Sequence, residues 1–199
     1  MKTGCNARQI TLLGLLTAVL LLMSYTPLGY LHIGPLAVTL NMIPVAVSAA
    51  ALGPAGGLWT GAVFGLTSFG QCLGIGGGSP MSAMLFAISP LRAFLLCMVP
   101  RILTGLAVGI GYRCIRSRSA GPWIAGFCAA FLNTVLFMGF LVALYGRTEY
   151  LQGLIAGRNL LVFICTFVGI QAVLELAAST VVSGALIRGL QRARVLERI

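Results

Sequence analysis

Acidic side chains are almost missing from this chain. Only Glu149, Glu175 and Glu197 carry carboxylates, and His32 is the one histidine among 199 residues. Glu197 falls in the C-terminal tail and Glu149 in a polar stretch, so no carboxylate pair is available for acid–base chemistry. Coupling to protons or sodium would rest on Glu175 alone, and no internal duplication of the kind found in secondary transporters is evident. No Gly-x-x-x-x-Gly-Lys-Ser/Thr, no nucleophile elbow and no His-Glu-x-x-His occurs, which leaves the chain without the usual signatures of an enzyme. The six cysteines, Cys5, Cys72, Cys97, Cys114, Cys128 and Cys165, contain no Cys-x-x-Cys pair and lie mostly in apolar runs. They read as small buried hydrophobes, not as a disulfide frame or a metal site.

Charge of either sign is scarce, at 8% against 59% hydrophobic residues. A soluble domain is about a quarter charged, so the chain reads as an all-α integral membrane protein. At roughly 20 residues per span its length allows about six helices. The apolar segments place them at 8–25, 39–52, 55–70, 91–115, 122–145 and 159–190, within a single membrane domain covering 1–199. Residues 1–25 share a basic start and an apolar run with signal peptides, but no small-x-small cleavage site precedes Tyr25-Thr26-Pro27, so they are read as the first span. The net charge of +10 is assigned to orientation and to anionic lipid, not to nucleic acid.

Two stretches interrupt the helices. Residues 27–38 hold two prolines, two glycines, Tyr30 and His32, a composition that reads as an ordered loop between the first two helices. Thr39 and Asn41 follow in the first turn of the second helix, with Pro44 inside it, which puts polar groups and an interrupted backbone at the mouth of the bundle. Residues 71–90 carry Gly74, Gly76, Gly77, Gly78, Ser79 and Pro80, then an apolar piece from Met81 to Ile88 too short to span. This is expected to be re-entrant or interfacial. Lys2, Arg8, Arg113, Arg116, Arg118, Arg188, Arg192, Arg194 and Arg198 gather on the side of the termini, against Arg92, Arg147 and Arg158 on the other. Both termini are therefore expected in the cytoplasm, and both irregular stretches outside.

A polar side chain within the bilayer needs a partner or a function. Arg101 lies twelve residues before Arg113, and Glu175 thirteen before Arg188, which puts each roughly 18–20 Å from its helix end. Either they form a structural ion pair, or Arg101 meets a substrate carboxylate through its bidentate fork. Asn133, near the middle of the fifth helix, bonds a neighbouring helix or a ligand. Gln171 shares a face with Glu175, and Gln71 opens the second irregular stretch. His32 is a satisfied loop histidine or a ligand contact, and Tyr30 an interfacial anchor or part of the site. Asn133, Arg101, Asn41, Gln71, His32, Tyr30 and Gln171 make up the candidate substrate-binding set. Gly14 and Ala18, four residues apart, give the first helix a small-residue face for close packing within the chain or against a partner.

Several segments resemble the substrate-binding S components of energy-coupling factor (ECF) vitamin transporters. They are Ile33-Gly-Pro-Leu-Ala-Val-Thr-Leu-Asn-Met-Ile-Pro-Val, Leu52-Gly-Pro-Ala-Gly-Gly, Phe64-Gly-Leu-Thr-Ser-Phe, Val99-Pro-Arg-Ile-Leu-Thr-Gly-Leu-Ala-Val-Gly and Asn133-Thr-Val-Leu-Phe-Met-Gly-Phe. The Asn-Thr and Pro-Arg-Ile-Leu segments look most like the pantothenate type. The resemblance implies a six-helix bundle in a bacterial plasma membrane that captures a vitamin from outside, with the first outer loop closing over it. It further implies docking of the first helix on a membrane T component driven by two cytosolic ATPases, so that ATP is used by the partners and this chain holds no cofactor. Family members dock through an Ala-xxx-Ala patch, and Gly14 and Ala18 occupy the matching face here. Pantothenate offers one carboxylate, two hydroxyls and an amide, which suit Arg101, Asn133, Asn41 and Gln71. Riboflavin or folate would call for stacking on Tyr25, Tyr30 or Phe69. Outside the resemblance, a stand-alone proton-coupled carrier using Glu175 and a purely structural membrane subunit are the alternatives.

Overall fold

In a computed structural model, backbone is described for residues 7–26, 30–33, 36–76, 80–115, 119–148, 152 and 160–193; the side chains of 30–33, 36–39, 80, 160–168, 170 and 171 are outside that description. The elements in order are α1 (Ala7–Tyr25), β1 (Tyr30–Ile33), β2 (Leu36–Thr39), α2 (Met42–Cys72), α3 (Pro80–Ile88), α4 (Pro90–Ile115), α5 (Gly121–Tyr145) and α6 (Leu160–Arg192). Five helices among the described residues are long and apolar enough to cross a membrane: α1, α2, α4, α5 and the Ala172–Arg192 part of α6. Their large apolar side chains remain exposed around the outside, among them Leu15, Leu22, Leu91, Ile110 and Val173. In water this surface would drive aggregation; facing lipid it costs nothing.

Where the sequence reading has a loop at 27–38, the backbone of the described part forms an antiparallel hairpin, with Tyr30 opposite Thr39 and Ile33 opposite Leu36. Two short runs rich in β-branched and aromatic residues, separated by only Gly34-Pro35, suit that pairing. The strand takes up Thr39, so α2 starts at Met42, three residues later than the apolar pattern suggests. Pro44 consequently sits in the first turn, where its missing N–H breaks no helical bond.

The interruption in α2 falls at Gly53, whose φ of 72° and ψ of −159° lie outside the helical region. Only glycine is at ease there, and Pro54 then starts the next helical run with its φ already set. The chain folds back sharply at this point. A Cβ placed on Gly56 would come within 2.8 Å of the Ser48 carbonyl and one on Gly57 within 2.9 Å of Ala49 Cβ, whereas residues eight apart in a straight helix are separated by about 12 Å. Met42 and Val45 likewise share a buried cluster with Phe64. α2 is thus two arms, 42–52 and 54–72, doing what the expected helices 39–52 and 55–70 do in the sequence reading.

The second arm runs antiparallel to α4 at backbone-to-backbone distance. A Cβ on Gly57 would collide with the Gly105 carbonyl and the reverse, one on Gly61 would reach 2.5 Å from the Arg101 carbonyl, and one on Gly65 would reach 3.0 Å from that of Cys97. Small residues permit such approaches, and dispersion is the main reward for packing inside a bilayer. α5 and α6 make a second close pair, joined where Ser179 Oγ donates 3.0 Å to the Gly126 carbonyl. Between the pairs lies a core of small side chains, Ala46, Ala49, Ala50, Ala125 and Ala129, with Val108, Tyr112 and Ile187.

The two ends of the bundle differ. One holds the starts of α1, the Gly53 reversal beneath the Arg113 guanidinium, and the end of α6, where Gln191 donates to Tyr112 Oη at 2.9 Å and Arg188 to Ser119 Oγ at 2.8 Å. The other carries the hairpin, the Leu73–Gly76 turn, α3, and Arg92 donating 3.3 Å to the Leu144 carbonyl. Gly77, Gly78 and Ser79 of the expected irregular stretch lie outside the described residues, as do Arg116, Arg118, Glu149 and Arg158.

Three substitutions test this frame. Gly105→Ala is expected to lower the unfolding midpoint of the detergent-purified protein or abolish folding, because the new methyl meets Gly57 backbone and not a side chain that can move. Gly111→Ala on the same helix, whose Cβ would meet nothing within 4 Å, should not lower the midpoint and should raise it slightly, since alanine is the better helix former. Gly53→Ala should cost about 1–3 kcal/mol from backbone strain alone, read in the same assay.

Candidate functional site

Buried polar side chains are spread along the bundle, and the one cation among the described buried residues is held by a backbone defect. Pro100 sits inside α4 and has no N–H to give to the carbonyl four residues earlier. That carbonyl belongs to Leu96, and Arg101 Nη1 donates to it at 2.7 Å. The proline therefore creates the acceptor that holds the next residue's guanidinium. Arg101 is only 7% exposed. Its Nη2 lies 3.4 Å from Ser68 Oγ on the second arm of α2, and its guanidinium carbon lies 4.5 Å from the ring centre of Phe137 and 5.5 Å from that of Phe64. Two aromatic faces offset part of the cost of a charge at this depth. Nε is buried and has no partner.

Asn133 lies one turn before Phe137 on α5 and so shares its face. It is 7% exposed, and its Oδ1 is buried without a hydrogen bond. On the far side of Phe64 a second polar group ties α1 to both arms of α2. Asn41 Nδ2 donates to Ser24 Oγ at 3.2 Å, Ser24 Oγ to Thr67 Oγ1 at 3.2 Å, and Thr67 Oγ1 to the Phe64 carbonyl at 2.9 Å. Gln71 Nε2 donates to the Ser24 carbonyl at 2.8 Å. Asn41 flanks the start of α2 but makes no side-chain cap; it is fully buried, and its Oδ1 is without a partner.

Arg101, Asn133 and Asn41 each have one buried polar atom without a partner, as do the hydroxyls of Thr17, Ser48 and Ser183. Leaving a buried donor or acceptor unmade costs about 1–3 kcal/mol, and the guanidinium and the two amides are the strongest donors and acceptors among the six. A ligand bearing a negative group for the Nε–H and N–H or O–H donors for the two amide oxygens would satisfy all three. The rim is also built for order. Tyr145 is fully buried, and its hydroxyl donates to the Leu85 carbonyl at 3.0 Å, pinning α3 to the end of α5. The Tyr25 ring fills the space over Gly76 and, through its hydroxyl, over Gly70, so the turn after α2 wraps around it.

Glu175 is buried on α6. The Gly126–Ser179 contact puts it level with Ala130, while Arg101 faces Phe137, so the two levels are about 10 Å apart along α5. The described hydrogen bonds of Arg101 are those to Leu96 and Ser68. Gly14 and Ala18 are exposed on the outer side of α1, and a Cβ on Gly14 would meet nothing within 4 Å. Tyr30 and His32 lie on β1 and Gln171 on α6, but their side chains are outside the description. β2 runs beside α6, which keeps the hairpin over the same end of the bundle.

Ser24, Phe64, Thr67, Ser68 and Phe137 join this set without having been singled out as site residues. Two signals were available: the Phe64-Gly-Leu-Thr-Ser-Phe run sets two hydroxyls beside an aromatic, and Phe137 falls four residues after Asn133.

Comparison with known proteins adds one positive finding. The family model described as ECF transporter, substrate-specific component, matches residues 8–187, the span from the start of α1 to the last turns of α6. No curated protein matches the chain.

Proposed function

Since this chain belongs to the substrate-specific components of the ECF transporters, we propose that it is the high-affinity capture subunit for a vitamin, with pantothenate as the substrate. The observation that supports this reading is the buried, incompletely bonded Arg101, together with the unused amide oxygens of Asn133 and Asn41 in the same bundle. Pantothenate's carboxylate would lie against the Arg101 Nε edge, and its hydroxyls and amide N–H would donate to Asn133 and Asn41. Gln71 closes the site beneath the hairpin, to which Tyr30 and His32 belong. Phe69, one of the rings on which riboflavin or folate would stack, already packs against Phe86 and Phe94, which favours an anionic aliphatic ligand.

Transport in this reading is energised by the partners. The chain folds as six spans, the two arms of α2 counting separately, with both termini cytoplasmic and the hairpin outside, as the basic residues at the Gly53 end support. Gly14 and Ala18, open on the outside of α1, form the small-residue face against which the membrane T component docks, while two cytosolic ATPases supply the work.

The test is thermal stabilisation of the purified protein against a vitamin panel. Pantothenate at a thousandfold its Kd is expected to add about 4 kcal/mol. Arg101→Gln should remove most of that gain, because a neutral amide replaces the charge-assisted contact, and Asn133→Ala should weaken it. A shift with a different vitamin would keep the family role and overturn the substrate. Uptake by cells that collapses with a protonophore while ATP is held constant would favour the carrier reading through Glu175.

A further inference from the structure

Two free cysteines meet where α2 packs against α4. Cys72 ends the second arm of α2 and Cys97 lies in α4; both are buried, 8% and 4% exposed, and their Sγ atoms are 3.7 Å apart. Their meeting is set by the fold and not by sequence proximity, since 25 residues separate them. The glycine contacts press α2 against α4, and helical side chains lean toward their helix's N-terminus. In an antiparallel pair those leans converge, which brings the two thiols together. Immediately beyond Cys72, the turn of Leu73, Gly74, Ile75 and Gly76 is exposed at the hairpin end.

We propose that Cys72 and Cys97 are a redox modification site, a dithiol that peroxide converts to an intramolecular disulfide locking the end of α2 to α4. One thiol attacks the peroxide oxygen and becomes a sulfenic acid as water leaves; the second thiol attacks that sulfur, forming the S–S bond and releasing a second water. The two sulfurs together give up two electrons, and the peroxide O–O bond is the one reduced. Bonding brings the sulfurs from 3.7 Å to about 2.05 Å, a short movement. Dithiothreitol reverses the step by thiol–disulfide exchange.

The experiment treats the intact purified protein with increasing hydrogen peroxide, alkylates the remaining thiols, digests it, and identifies cross-linked peptides by mass spectrometry. Cys114, exposed on α4, reports that oxidant has reached the protein. The expected result is a Cys72–Cys97 peptide pair lighter by two hydrogens, formed before or together with Cys114 oxidation and lost on dithiothreitol. The thermal midpoint should rise by several degrees on oxidation, as cross-linking restricts the unfolded chain, and should not rise in Cys72→Ala or Cys97→Ala. Cys72 and Cys97 both remaining alkylatable once Cys114 is oxidised would overturn the proposal, as would separate overoxidation of either thiol without a cross-link. Because neither readout needs a vitamin, the result stands apart from the choice of substrate.

Discussion

A proline that withholds one hydrogen bond is the feature on which the buried cation of this bundle depends. Pro100 leaves the Leu96 carbonyl without its helical donor, and the Arg101 guanidinium takes that place at 2.7 Å. A buried arginine with no acceptor would be expensive enough to unfold the region or drive the side chain out of the bundle. A backbone carbonyl made free in the same turn supplies the acceptor without importing a carboxylate, which would neutralise the charge and leave little for a ligand. Phe137 and Phe64 then hold the cation from either side. The outcome is a guanidinium that is anchored in position and retains an unused donor edge.

That arrangement needs helices that cannot drift, and the glycine contacts between α2 and α4 provide this. Gly57 meets Gly105, Gly61 meets Arg101, and Gly65 meets Cys97. The same three steps that set the interhelical distance therefore carry the register from the packed end up to the site. Below Arg101 the interior is mainly alanine, valine and isoleucine, and the buried Thr60 and Thr104 hydroxyls are bonded to carbonyls of their own helices. The close backbone packing thus runs toward the Gly53 end, and the buried guanidinium sits beyond it toward the hairpin.

Much of this is visible in the order of the residues, and what is not has physical reasons. Gly53-Pro54 marks a chain reversal by local chemistry alone, and the long apolar runs mark α1, α4, α5 and α6. Arg101, Asn41 and Asn133 stand out because polar groups are rare in such runs. The hairpin was harder to see: a four-residue strand flanked by glycine and proline has the composition of a loop, and only the pairing of Tyr30–Ile33 with Leu36–Thr39 separates the two. Ser24, Thr67 and Ser68 are small hydroxyl residues that in most membrane helices bond their own backbone, and their importance here comes from tertiary neighbours. The meeting of Cys72 with Cys97 depends on where two antiparallel helices slide to a stop, which no spacing in the chain encodes.

α1 packs chiefly on α2, and the Gly14–Ala18 face points outward with Leu15 and Leu22. In lipid such a helix is held by little more than dispersion along one side, so its polar contacts matter out of proportion to their number. Two of them lie at one end, where Ser24 receives Asn41 through its hydroxyl and Gln71 through its carbonyl. Asn41 and Gln71 are themselves candidate ligand contacts. A ligand that engaged the Asn41 or Gln71 amide would compete with these two bonds to Ser24, which lies six residues after Ala18 on the same helix.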